Sequence, residues 1–162
     1  MSLYRHRLPQ LKDTLFLTDG GLETTLIFHD QLELPCFAAF DLLKEEAGTE
    51  ILRRYFDPYL DAAGRHGTGF VLEAPTWRAN ADWAAKLGYD ERMLADANRR
   101  AIGLLLEIRK ARQTRDMPLV ISGNIGPRGD GYRPDRLMSV AEAERYHADQ
   151  IRVFKDAGAD LV

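Results

Sequence analysis

Short apolar runs alternate with long amphipathic segments along this chain, and that alternation is the signature of parallel βα units. Four runs carry it: Leu15–Thr18, Phe70–Glu73, Leu119–Ser122 and Asp160–Val162. Each of the last three follows a helical pattern and a helix-ending signal. Between the first and second runs, Ile51, Leu52, Tyr55, Tyr59, Leu60 and Ala63 recur at spacings of three and four, with Gly67 where a C′ glycine belongs. Pro58 leaves two readings of that helix: Asp57 caps a fresh start, or the helix kinks. Met93, Ala97, Ala101, Leu104, Leu105 and Ile108 form the stripe of a helix over about Asp90 to Thr114, preceded by a small helix near Ala81–Leu87. The last helix opens on Ser139 and Glu142 at capping-box spacing and stops at Gly158. A final strand starts at "ADLV" and is expected to continue beyond Val162, because buried parallel strands lead on to a covering helix.

The 162 residues contain no Pro/Gly/Ser-rich boundary, so they read as one domain with one core. A net charge of -3 with interspersed signs offers no basic face, which excludes a phosphate backbone as partner. Cys36 is the sole cysteine, so neither an internal disulfide nor a thiolate metal site can form within one chain. No signal-peptide core and no run of about 18 apolar residues occurs, so a cytoplasmic chain with no membrane partner is expected.

In parallel α/β folds ligands bind at the carboxyl ends of strands. Here those ends carry Asp19-Gly20-Gly21, then Glu73 followed by "APTWRAN", then Ser122-Gly123-Asn124 followed by "IGPRGDGY". Asp19 suits either of two tasks, gripping a substrate ammonium beside glycines that admit close backbone approach, or bonding its own backbone in a turn. Glu73 at the end of an apolar strand points to function, since a buried carboxylate needs a partner. Trp77 either walls a pocket or packs beneath the next helix. The loop Gly126–Gly131 with Arg128 suits an anion cradle or a plain surface loop, and matches no phosphate-loop fingerprint. The four histidines show no metal spacing, and Cys36 among apolar neighbours reads as a buried, inert thiol.

Taken together, the three strand ends resemble the N-terminal half of the homocysteine S-methyltransferase family. The matching stretches are "TDGGLETTL" at its first-strand Asp-Gly motif, "FVLEAPTWRAN" at its Glu-x-x-Thr-aromatic-x-Ala-Asn motif, and "ISGNIGPRGDGY" at its Gly-x-x-Gly-Pro motif. "DAGADLV" is similar to the start of the family's fourth strand. The resemblance implies a (β/α)8 TIM-type barrel, of which this chain holds about the first three βα units and the start of strand four. It also implies transfer of a methyl group to the homocysteine thiol, giving methionine. Donors in the family include S-methylmethionine, S-adenosylmethionine, betaine and a folate.

The family's zinc ion turns a thiol with pKa near 8.5 into the attacking thiolate. Carried over by motif, Asp19, Gly20 and Gly21 contact homocysteine, while Glu73, Thr76, Trp77 and Asn124 line the same pocket. Ala74-Pro75 and Glu23 depart from the family pattern. The late-strand cysteines that hold zinc, one pair in a Gly-Gly-Cys-Cys motif, have no counterpart here, and Cys36 is in the wrong place to substitute. Zinc is therefore expected in a complete enzyme, with no zinc ligands in this chain. Strands one and four would be open edges, which predicts an inactive homo-oligomer or a fragment of a longer enzyme. Two further readings remain: a non-catalytic α/β assembly module, and a doubly wound sheet binding an anion through Gly126–Gly131.

Overall fold

The computed structural model describes residues 2–132 and 137–162. Its sheet has three parallel strands, β1 (Phe16–Thr18), β2 (Gly69–Glu73) and β3 (Leu119–Ser122), in the order β1-β2-β3. Register pairs Phe16 with Gly69, Thr18 with Val71, Phe70 with Leu119 and Glu73 with Ser122. The helices are α1 (Leu22–Thr24), which runs on into a π-helical turn Thr25–His29, then α2 (Glu46–His66), α3 (Ala81–Lys86), α4 (Glu91–Arg112) and α5 (Val140–Ala157).

Beyond β3 the expected fourth strand is a single parallel bridge, Leu161 to Ser122. The spatial order thus advances in one direction with no reversal. Right-handed crossovers then place successive helices on one face, and α2 meets α4 as α4 meets α5. A doubly wound sheet requires a reversal of strand order, and the described residues contain none.

Period-two alternation sorts the strand residues. Phe70, Leu72, Leu119 and Ile121 join Leu52, Phe56, Leu60, Ile102, Leu105 and Phe154 in one buried cluster beneath the helices. Val71 and Glu73 point to the other face, and their only partial burial agrees. Helix ends follow local chemistry. Asn80 accepts from the Trp83 amide and Asp90 from the Met93 amide. Ser139 and Glu142 complete the reciprocal capping box.

Three expectations are corrected. Leu15 lies outside β1, and its side chain is exposed. Helix α2 is one unbroken element through Pro58, which lies on its exposed side, where a carbonyl without its N–H can be hydrated. Asp57 accordingly caps nothing and accepts from Arg112 at 3.0 Å. Cys36 is half-buried rather than buried, with a left-handed backbone of φ 58°.

The N-terminal arm is tied to the start of the fourth run. Asp160 Oδ1 accepts from the Leu3 and Tyr4 amides, each at 2.8 Å. Its Oδ2 accepts from Arg109 Nη1 at 2.6 Å and from the Ile121 amide at 3.0 Å. Four donors thus compensate a carboxylate whose side chain is wholly out of water. Among the described residues no helix is long and apolar enough to cross a membrane.

Candidate active site

A pocket of about 130 Å³ opens at the carboxyl ends of the strands. Asp19, Gly20 and Gly21 after β1, Glu73 ending β2, Trp77 and Asn124 border it, joined by Glu23 and Pro75. Gly21 takes φ 66°, the left-handed conformation that a residue with a Cβ adopts only at a cost, and so turns the chain from β1 into α1. Six of the seven residues singled out from the sequence therefore meet around one cavity.

The seventh, Thr76, stands behind it. Its side chain is fully buried, and its hydroxyl donates to the Asn124 carbonyl at 2.7 Å. Thr76 thereby ties the loop after β2 to the loop after β3. The same two loops touch at Gly126, where a Cβ would lie 1.9 Å from the Trp77 carbonyl oxygen, so only glycine fits. Trp77, left between two readings by its sequence, takes the pocket wall.

Asp19 is held from below by α2. Tyr55 places its hydroxyl 2.9 Å from Asp19 Oδ2 and 3.0 Å from the Gly20 carbonyl, to which Tyr59 also donates at 3.1 Å. One phenolic proton cannot fully serve two acceptors. Asp19 Oδ1 is buried with no hydrogen-bond partner. Burial is the largest influence on this carboxyl; the Tyr55 bond opposes it, the Glu73 charge adds to it, and the pKa is pushed up to about 6. Glu23 is likewise raised, first by burial and further by Asp19. Three carboxyls around a small cavity, one with an orphan oxygen, have the chemistry to accept from a cation bearing several N–H donors, such as a primary ammonium.

Periodicity counted Tyr55 and Tyr59 only as members of an apolar stripe. Their hydroxyls were the missed signal, because a phenol at a core position needs a polar partner. The loop Gly126–Gly131 is closed up against its neighbours. Asn80 donates to the Pro127 carbonyl at 3.1 Å, and Trp83 Nε1 to the Gly129 carbonyl at 3.3 Å. Arg128 pairs with Asp82 at 2.7 Å. Its charge is thus already answered by a carboxylate. Among the described residues no group of three or more His, Cys, Asp or Glu side chains could hold a metal ion, and Cys36 is not part of the pocket wall.

Residues 16–162 match the family described as homocysteine S-methyltransferase. Among solved structures, the chain is similar to the homocysteine methyltransferase MmuM from Escherichia coli. The metallated form is 25% identical, with a TM-score of 0.70 over 93% of this chain and 53% of that one. The oxidized form is 24% identical, with a TM-score of 0.73 over 95% of this chain and 53% of that one, a likeness of fold. The chain therefore spans about half the length of the structures it matches. No curated protein matches it.

Proposed function

This chain belongs to the homocysteine S-methyltransferase family, and we propose that its strand-end pocket binds the amino-acid end of homocysteine for transfer of a methyl group to the homocysteine sulfur, giving methionine. The observation that carries this reading is the orphan Oδ1 of Asp19, buried beside Glu73 in a pocket whose wall carries carboxyls and no cationic side chain. An α-ammonium supplies those donors and a compensating charge. At neutral pH a carboxyl with pKa about 6 is mostly ionised, and a bound cation lowers it further. Tyr55 fixes the Asp19 rotamer, so the ammonium is gripped in one orientation and the thiol projects from a defined point. Such alignment matters because the sulfur must meet the methyl carbon in line. The thiol proton passes to solvent, the new S–C bond forms, and the electron pair of the broken bond stays on the donor, a sulfonium or similar methyl carrier.

The one-way strand order supports placing these three βα units, and the start of a fourth strand, in a (β/α)8 barrel with its ligand at the carboxyl face. The described residues do not fit the zinc that the resemblance implies. Binding and orientation of the amino acid are the tasks proposed for this chain.

Titration of the chain with L-homocysteine, followed by amide resonances, tests the reading. Shifts centred on Gly20, Glu73 and Asn124, lost in Asp19→Asn, are the expected result. Shifts elsewhere, or none at millimolar ligand, would overturn it.

A further inference from the structure

Every ionisable group on the pocket wall is a carboxyl: Asp19, Glu23 and Glu73. An amino acid brings a carboxylate as well as an ammonium, and three like charges repel it unless a cation stands opposite. Arg78 is not on the wall itself but is a cation next in sequence to Trp77, which is. Its guanidinium lies between two indoles, 4.1 Å from the Trp77 ring centre and 3.8 Å from that of Trp83. Stacking of this kind fixes the plane of the fork while leaving its edge to make hydrogen bonds.

That edge is incompletely used. Nη1 donates to the Gly129 carbonyl at 3.2 Å, and Nε is buried without a partner. Asp130 and Glu23 act on the guanidinium through space. Glu23, on the pocket wall, lies in the field of both Asp19 and Arg78. Leaving that Nε desolvated without an acceptor is costly, and a planar bidentate carboxylate is the partner the fork matches.

We propose that Arg78 is the specificity-determining residue that receives the α-carboxylate of the amino acid whose ammonium sits on Asp19 and Glu73, so that the pocket selects a zwitterion. This rests on the amino-acid reading of the pocket. Calorimetric titration of the 162-residue chain with L-homocysteine and with 3-aminopropane-1-thiol, the same molecule without its carboxylate, tests it. The unaltered chain should prefer homocysteine by about tenfold to a hundredfold, the range of a charge-assisted hydrogen bond. Arg78→Ala should bring homocysteine down to the level of the decarboxylated thiol without changing the latter, Arg78→Lys should restore part of the preference, and Asp19→Asn should weaken both ligands. Homocysteine binding unchanged in Arg78→Ala would overturn the inference alone. Equal loss of both ligands in that variant would also overturn it, by making Arg78 a support of the loop. Failure of the unaltered chain to bind either thiol would overturn the amino-acid reading and this inference with it.

Discussion

Asp19→Asn should make the protein more stable and less able to bind its ligand, and the size of the gain follows from the site. The carboxyl titrates at about 6 in the folded chain against an ordinary value of 3.8. Because the raised value means that the folded state holds the proton more tightly, the carboxyl's effect on stability is most favourable below about pH 4. Stability is lost as pH rises from 4 toward 6, and is flat above. At about 1.36 kcal/mol per pH unit, the ionised carboxylate costs about 3 kcal/mol at pH 7.5. Asparagine removes that charge and also relieves Glu23 and Glu73. Its amide keeps a hydrogen bond with Tyr55 but puts an NH2 group where one carboxylate oxygen stood.

A net gain of about 1–3 kcal/mol remains, or several degrees in Tm at about 2–4 °C per kcal/mol for a domain of this size. Thermal unfolding of both proteins at pH 4 and pH 7.5 measures it, the difference being near zero at pH 4. An Asp19→Asn protein no more stable than its parent at pH 7.5, or equally stabilised at both pH values, would refute the reasoning. Stability gained where binding is lost is the pattern of a site strained for function.

Other substitutions probe the rest of the architecture. Asp160→Asn leaves Arg109 buried without its counter-ion and weakens the bonds from Leu3 and Tyr4; a loss of about 3–5 kcal/mol in urea-unfolding stability is expected. Gly126→Ala forces a methyl against the Trp77 carbonyl, so it should cost about 1–3 kcal/mol and shift the Trp77 indole resonance. The free edge of β1, whose backbone is paired on one side only by β2, should drive self-association detectable by sedimentation at micromolar concentration. A strictly monomeric chain across that range would contradict the open-edge argument.

Local chemistry was legible in the sequence to the residue in places. β3 spans the predicted Leu119–Ser122 because its apolar run is short, continuous and buried on both faces. Asp90 and Ser139 announced their helices because a cap needs only its own next three residues. β2 begins one residue early, at Gly69, because pairing with Phe16 decides that boundary and no local propensity does.

The clamp on Asp160 joins atoms 156 and 157 residues apart, and nothing near Leu3 or Tyr4 announces it. The pocket shows the same division. Asp19, Glu73 and Asn124 were found because strand ends are where ligands bind. Tyr55 and Tyr59 were read only as helix-face residues, because periodicity reports which side of a helix is buried and is silent about a hydroxyl at the far end of a ring. Thr76 was placed among the binding residues by motif, yet its hydroxyl turns away to the Asn124 carbonyl. Arg78 became legible only once two tryptophans were seen on either side of it.

A crystal structure of the chain grown with L-homocysteine tests the central claim most directly. The ligand ammonium is expected within about 3 Å of Asp19 Oδ1 and beside Glu73, in the cavity bordered by Gly20, Trp77 and Asn124. Homocysteine seated instead in the groove that Thr25, Asp30 and Leu32 form with Arg54 and Tyr59 of α2, with the strand-end pocket holding only water, would contradict it.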